Sequence, residues 1–205
     1  MDPALARTAL QGGLQAVIEA EPDVTKYDTV VGDGDCGIGL KRGAEAIMKL
    51  LGSSQTSETK DAALFLDQII GVVETSMDGT SGALYAIYLN ALATGLRTQS
   101  GQQQATTQVW AQAAKQAMQS MAKYTPAKPG DRTLVDALAP FVDTLENTSD
   151  VKQAAQAAQQ GSDKTKGMKA SLGRTVYIGG QGWQDVPDPG AYGLAQFFKG
   201  LAEKL

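Results

Sequence analysis

The sequence predicts an all-α protein, a single domain of eight helices. Three observations indicate this: aromatic residues make up only 6% of the 205 residues, alternation of Val, Ile and Thr with polar residues is scarce, and Ala, Leu, Gln and Met abound. Such a composition favours helix over sheet. Neither an internal repeat nor a linker divides the chain, so we expect residues 1–205 to form one domain.

The first four predicted helices follow from local signals and from apolar residues at three- and four-residue spacing. Pro3 suits the first turn of a helix, and the second helix opens on a glycine-rich segment. The fourth opens on the hydroxyls of Thr80 and Ser81. These four helices are expected over about 3–20, 37–51, 58–75 and 80–96.

The last four predicted helices lie in the second half of the chain. The fifth is rich in Gln, but Val109, Trp110 and Ala113 keep a helical apolar stripe, so we interpret it as an ordinary surface helix. The sixth contains Pro140, which is expected to bend it. These helices are expected over about 104–124, 134–147, 150–168 and 191–205. The irregular segment 173–190 has the length of a lid or a binding loop.

Composition excludes several classes of function. The formal net charge of -4 leaves no polybasic face, so neither a nucleic acid nor a membrane is an expected partner. An apolar run of about 20 residues and a signal-peptide pattern are both missing, so we expect a protein that is neither membrane-spanning nor secreted. The single cysteine, Cys36, fits a reducing compartment, and a cytoplasmic location is expected.

The absence of histidine from the sequence narrows the chemistry further. It removes Ser-His-Asp and Cys-His catalysis, zinc sites with histidine ligands, and any histidine base. Carboxylate, hydroxyl and backbone groups remain.

The segment "DTVVGDGDCGIGL", residues 28–40, combines three carboxylates with four glycines at the start of a helix. Carboxylates bind Mg²⁺, Mg²⁺ binds phosphate oxygens, and the amides of a glycine-rich helix start bind the same phosphates. Asp28 is expected to fold back toward Asp33 and Asp35, which face one way if the segment is extended. The pattern therefore predicts a metal–nucleotide site with oxygens for two cations. A capped, solvated turn is the alternative, since Asp and Gly are common in turns.

Other phosphate and metal motifs do not fit this segment. A dinucleotide fingerprint at residues 32–37 would set two carboxylates against a pyrophosphate, and the alternating strands and helices of that fold are missing. A P-loop needs lysine where Ile38 stands. A calcium loop that started at Asp33 would have Gly37 and Ala44 at its fifth and twelfth positions.

Three further helix starts combine glycine with polar residues. They read "GTSG" (79–82), "KPGDRTLVDAL" (128–138) and "DPGAYG" (188–193). Each of them alone is explained by helix capping. Together with the first segment they indicate several phosphate or nucleotide contacts within one domain.

In order and rough spacing, "GDGDCG", "M-x-G-T-S-G-A-L-Y", "KPGDRTLVDAL", "GRTVYIG" and "DPGAYG" resemble the nucleotide-binding (L) domain of dihydroxyacetone kinases. The resemblance covers nearly the whole chain and implies an eight-helix antiparallel barrel. It implies that Asp28, Asp33 and Asp35 hold two Mg²⁺ ions that bridge the phosphates of ATP or ADP. The residues that it implies as contacts of phosphate or of the rest of the nucleotide are Cys36, Gly37, Ile38, Gly39, Thr80, Ser81, Met121, Gly130, Arg132, Asp188, Pro189 and Gly190.

The resemblance also implies a partner. In that family a histidine of a substrate domain or subunit holds dihydroxyacetone covalently, and this chain has no histidine. The dihydroxyacetone-binding half is therefore expected on a separate subunit or on an N-terminal domain. Self-association into a homodimer is a further option.

The expected function is that of the nucleotide-binding half of a glycerone (dihydroxyacetone) kinase, which transfers the γ-phosphoryl group of Mg-ATP. Alternatives are an ADP-carrying subunit that a phosphotransferase-system protein recharges, and the nucleotide domain of a fatty-acid kinase, against which "DPGAYG" speaks. A non-catalytic nucleotide sensor is an alternative of another class. Cys36 after "GDGD" resembles the single-chain members that use ATP directly. Asp78 departs from the glycine usual in the family, and a carboxylate there would weaken nucleotide binding unless it points outward.

Overall fold

The computed structural model describes residues 3–53, 59, 61–100, 105–177 and 182–205. Within these ranges the chain forms eight α-helices and one short 3₁₀ helix, and no strand occurs there, so the prediction of an all-α fold is confirmed. The α-helices are α1 (Pro3–Val31), α2 (Cys36–Gly52), α3 (Ala62–Ser76), α4 (Gly79–Ser100), α5 (Thr107–Met121), α6 (Val135–Thr148), α7 (Val151–Lys164) and α8 (Pro189–Ala202). The 3₁₀ helix covers Arg174–Tyr177.

The eight α-helices form a closed ring. Each helix packs against the next one along the chain, and α1 packs against α8. Successive helices of an up-and-down bundle run in opposite directions. The starts of α2, α4, α6 and α8 therefore share one end of the barrel with the last turns of the odd-numbered helices. These starts carry the four polar, glycine-bearing motifs of the sequence.

The interior of the ring is apolar. Buried alanines such as Ala111 and Ala117 in α5 allow neighbouring helices to approach closely, and Phe141 of α6 stacks on Phe198 of α8 with ring centroids 3.6 Å apart. A cavity of about 300 Å³ remains inside and is lined mainly by aliphatic and aromatic side chains. Among the described helices, none is long and apolar enough to cross a membrane.

The main difference from the sequence prediction is the length of α1. The sequence predicts an end near residue 20, but the helix continues through Pro22 to Val31. A proline inside a helix removes one backbone hydrogen bond. Beyond it Val24 and Val31 are each only 1% exposed, because α1 packs on both α2 and α8. This burial outweighs the local cost, and it places Asp28 in the last turn of a helix rather than in a loop.

Smaller differences concern other helix ends. The predicted starts of the third and fifth helices, at 58 and 104, lie outside the described residues, and α3 begins after Asp61, whose side chain accepts hydrogen bonds from two backbone N–H groups of its first turn. The seventh helix ends at Lys164 rather than at residue 168, and α8 begins two residues early, at Pro189. Pro140 lies inside α6, and the bend expected there stays a prediction.

Candidate functional site

The side chains of Asp28, Asp33 and Asp35 converge where α1 is linked to α2. One carboxylate oxygen from each lies within 4.8 Å of the other two. Asp28 is buried, at 8% exposure, while Asp33 and Asp35 are exposed, so the cluster has a buried base and an open mouth. The expected convergence is confirmed. The link is a turn and not an extended segment, since Gly34 has a φ of 80° and Asp35 has helical dihedral angles.

Gly32 allows Asp28 its position at the base of the cluster. The backbone N–H of Gly32 donates to the carbonyl oxygen of Asp28 at 2.6 Å, which closes the last turn of α1. A Cβ atom at Gly32 would lie 2.1 Å from Oδ1 of Asp28, far inside van der Waals contact. Any other residue at this position would therefore displace the buried carboxylate.

Asp35 occupies the N-cap position of α2 without capping it. Its side chain makes no hydrogen bond to the first turn of α2. The N-cap aspartates of α3, α7 and α8, by contrast, each accept such a bond: Asp61, Asp150 and Asp188. A carboxylate at a helix start normally gains stability from this contact. Capping of α2 therefore does not account for Asp35, whose carboxylate belongs to the cluster.

Cys36 contributes a backbone group and not a thiolate. Its N–H donates to Oδ2 of Asp28 at 2.9 Å and so joins α2 to α1. Burial, and then the neighbouring carboxylates of Asp28, Asp188 and Asp35, raise the pKa of the thiol to about 12. The thiol stays protonated at neutral pH, so neither nucleophilic nor thiolate-ligand chemistry is expected of it.

The rest of the first turn of α2 is buried on the side that faces α1 and open on the other side. Gly37 is buried against α1, where a Cβ atom would come within 2.3 Å of Oγ1 of Thr25. Ile38 is 55% exposed, and the space beside Gly39 is open, with no atom within 4 Å of an added Cβ. The N-terminus of a helix carries partial positive charge and outward-pointing N–H groups, which suit a phosphate at this place.

The "GTSG" motif forms the first turn of α4. Thr80 is exposed and Ser81 is half-buried. One turn later, burial together with the neighbouring Cys36 and Asp188 raises the pKa of Tyr85. Tyr85 thus lies near the starts of both α2 and α8, which agrees with a position of the beginning of α4 at the same end of the barrel.

Arg132 is turned into the protein. It has a φ of 60° and is 2% exposed. Its guanidinium donates to the carbonyl oxygens of Met168, Trp183 and Val186 at 2.8–2.9 Å, and it lies over the Trp183 ring at 5.5 Å. This side chain ties the segment that leads to α8 against the start of α6. A direct contact with a nucleotide, implied by the resemblance, stays a prediction.

Asp136 shapes the loop before α6, and the sequence analysis missed it. Its carboxylate is 5% exposed and accepts from the backbone N–H groups of Gly130 at 2.6 Å and Thr133 at 2.8 Å. The sequence contains a pattern that could have identified Asp136: Thr133-x-x-Asp136 before an apolar run has the spacing of a capping box.

The "DPGAYG" motif starts α8 with a half-buried cap, Asp188. Oδ2 of Asp188 accepts from Ala191 N at 2.8 Å, and its own N–H donates to Oγ1 of Thr165 at 2.7 Å. Burial raises the pKa of Asp188 to about 7, although Arg132 acts in the opposite direction. Pro189 is buried and Gly190 half-buried in the first turn of the helix.

Two other predicted contacts, Met121 and Gly130, do not belong to the carboxylate cluster. Met121, the last residue of α5, is 2% exposed and lines the apolar cavity. Gly130 is exposed, with a φ of 97°, in the loop before α6. The structure thus brings Asp28, Asp33, Asp35 and Cys36 into one cluster, while the other motifs share its end of the barrel.

Comparison with known proteins agrees with this geometry. The DAK2 domain family matches residues 30–203. The chain is 42% identical over 207 residues to the dihydroxyacetone kinase of Pichia angusta, and 44% identical over 198 residues to dihydroxyacetone kinase 2 of Saccharomyces cerevisiae. The matches cover 96% and 94% of this chain but 34% and 33% of those proteins. The chain therefore spans about a third of the length of these relatives.

Solved structures show the same fold. The native dihydroxyacetone kinase of C. freundii superposes with a TM-score of 0.82 at 27% identity, over 98% of this chain and 34% of that one. Its complex with AMP-PNP and Mg²⁺ superposes with a TM-score of 0.79 at 28% identity, over the same shares of the two chains. On the family match and these likenesses, the chain belongs to the DAK2 domain family, the nucleotide-binding L domain of dihydroxyacetone kinases.

Proposed function

We propose that residues 1–205 form the nucleotide-binding domain of a dihydroxyacetone kinase, which supplies the γ-phosphoryl group of Mg-ATP to dihydroxyacetone held on another domain or subunit. The observation that carries the proposal is the carboxylate cluster at the start of α2, in which the Asp35 side chain makes no capping hydrogen bond. The names of the fungal relatives support the reaction. The C. freundii complex with AMP-PNP and Mg²⁺ supports the nucleotide and the metal.

The cluster fits magnesium. Mg²⁺ prefers hard oxygen ligands and is commonly held by carboxylates together with phosphate oxygens. Asp28, Asp33 and Asp35 offer oxygens that lie within 4.8 Å of one another, and a site for two ions is our proposal for them. When bound, Mg²⁺ would neutralise charge on the phosphoryl group in transit.

The chain's own residues bind and orient the donor. We assign residues 36–39 and the hydroxyls of Thr80 and Ser81 to the phosphates, because they stand at helix starts, where phosphate oxygens are favoured. The N–H groups of Cys36 and Gly39 already donate to Oδ2 of Asp28 and to the carbonyl oxygen of Asp35, so Gly37 and Ile38 are the N–H donors proposed for phosphate. Residues 188–190, at the start of α8, border the same end of the barrel, and we assign them with Met121, Gly130 and Arg132 to the rest of the nucleotide. Positioning and electrostatic stabilisation are the main contributions expected in phosphoryl transfer.

The acceptor side of the reaction is assigned to another domain or subunit. The sequence has no histidine to hold a triose, and the chain spans about a third of its relatives. An acceptor that is not held in line loses an effective molarity of roughly 10⁵ M or more. The isolated chain should therefore bind Mg-ATP but phosphorylate dihydroxyacetone no faster than background.

The test is a coupled assay for triose phosphate in three mixtures: this chain alone, the remainder of the P. angusta kinase alone, and both together at increasing concentration. We expect turnover only in the third mixture, and weak turnover, since no linker raises the local concentration. Activity of this chain alone would contradict the assignment of the acceptor site. If no mixture forms triose phosphate while the chain still binds Mg-ATP, the result would favour a nucleotide sensor.

A further inference from the structure

Asp78 places a negative charge directly before α4, whose first turn is the proposed second phosphate contact. The partial positive charge of a helix start attracts a carboxylate, and a carboxylate held there would repel a nucleotide phosphate. This chain therefore needs a way to keep the Asp78 carboxylate off the start of α4.

Arg42 of α2 engages this carboxylate. Its Nη2 donates to Oδ2 of Asp78 at 2.6 Å, and its Nε donates to the carbonyl oxygen of Ser76, the last residue of α3, at 2.7 Å. The Asp78 side chain is 85% exposed and the Arg42 side chain 50% exposed. The carboxylate thus points outward, and its charge is paired.

The contact next to this pair fixes the same turn. Gly43 of α2 packs so closely on Met77 that a Cβ atom would lie 2.6 Å from Cγ of Met77. Two successive residues of α2 therefore hold two successive residues of the turn between α3 and α4. Seven residues before Gly43, α2 begins at Cys36 beside the carboxylate cluster. One rigid helix thus links the metal end of the site to the start of α4.

We propose that Arg42 is a positioning residue of the nucleotide site: it holds Asp78 outward and neutralises it, so that the first turn of α4 stays available to phosphate. The inference rests on the proposed function. Arg42 acts through Asp78, so the effect of losing Arg42 should depend on the charge of Asp78. A residue that only stabilised the fold would not show this dependence.

The test is a double-mutant cycle on Mg-ADP affinity by calorimetry, with Arg42→Gln, Asp78→Asn and the double variant. Arg42→Gln should raise the Kd about fivefold at low ionic strength, because an unpaired carboxylate then faces the phosphates. Asp78→Asn should bind as tightly as the parent or tighter, and the double variant should stay within about twofold of Asp78→Asn. The loss in Arg42→Gln should shrink between about 0.02 M and about 0.5 M salt, because ions screen exposed charges.

The matched control is Arg97→Gln. Arg97 of α4 pairs with Asp67 of α3. This is also an Arg–Asp ion pair, but it lies away from the turn between α3 and α4. This variant should bind Mg-ADP like the parent. Unchanged affinity of Arg42→Gln would overturn the inference, as would a double variant as weak as Arg42→Gln alone. A parent protein that does not bind Mg-ADP would instead overturn the proposed function, and the inference with it.

Discussion

The carboxylate of Asp28, in the last turn of α1, accepts a hydrogen bond from the backbone N–H of Cys36, the first residue of α2, at 2.9 Å. One side chain thus serves both the helix junction and the carboxylate cluster. A change at Asp28 would therefore alter packing and metal binding together. Asp33 and Asp35 are exposed, so changes there separate ligand binding from stability more cleanly.

Gly39 offers a test in which stability and binding change in opposite directions. It lies in the first turn of α2, with open space where a Cβ atom would stand. Gly39→Ala should stabilise the apo protein by about 0.5–1 kcal/mol through helix propensity, yet weaken Mg-ADP binding because a methyl group enters the proposed phosphate position. Urea unfolding and calorimetry measure the two effects. Gly52→Ala is the control, since its site is also open but lies at the far end of α2. Unchanged affinity in Gly39→Ala would remove this turn from the phosphate site.

Arg132 should be important for stability. It is buried and donates to three backbone carbonyls that come 36 to 54 residues later in the chain. Arg132→Met leaves those carbonyls without this donor, which should lower the free energy of unfolding by about 2–4 kcal/mol. Arg97→Met, at an exposed ion pair, should lower it by less than about 1 kcal/mol. The free energy of unfolding is measured in urea. If Arg132→Met and Arg97→Met lower it by equally small amounts, the three carbonyl contacts contribute little.

Asp188 should make the stability of the apo protein depend on pH. Burial raises its folded pKa to about 7, while an unfolded Asp titrates near 4. Between these values the folded state binds more protons, so its stability should fall as pH rises from about 4 to 7 and level off above. Asp188→Asn keeps a capping oxygen for Ala191 and removes the charge. Its gain in stability over the parent should be small at pH 5 and larger at pH 8.

The control for this pH effect is Asp150→Asn on α7. Hydrogen bonds from Gln153 lower the pKa of Asp150 below its usual value, so this carboxylate is ionised across the whole window. Any difference between Asp150→Asn and the parent should therefore be the same at pH 5 and pH 8. The measurement is the melting temperature of the parent and of Asp188→Asn at both pH values. If the two proteins differ by the same amount at pH 5 and at pH 8, the raised pKa of Asp188 is contradicted.

Local patterns were sufficient to predict most of the fold. The helical stripes and the polar helix starts lie in short windows of sequence, and the structure places those starts at one end of the barrel. Such local patterns did not predict the length of α1. The stop signal at Pro22 is local, whereas the burial of Val24 and Val31 depends on helices that come later in the chain.

The same limit applies to the site. The carboxylates were predictable because they lie within eight residues of one another. The environment of Arg132 was not, because its acceptors belong to a distant segment. Arg42 and Asp78 likewise lie 36 residues apart, so a single sequence does not reveal their pairing. Asp136 was missed although its capping-box spacing is local.

The most direct test of the account is calorimetric titration of Mg-ADP into the parent and into Asp33→Ala, with and without EDTA. Asp33 is exposed and belongs to the cluster whose oxygens lie within 4.8 Å of one another, so its removal should leave the helix content unchanged. The account predicts that the parent binds only when magnesium is present, and that saturation at a hundredfold excess over the Kd stabilises it by about 2.7 kcal/mol. It predicts no measurable binding by a folded Asp33→Ala. Equal Mg-ADP affinity of the two proteins, or binding by the parent that EDTA leaves unchanged, would contradict the account.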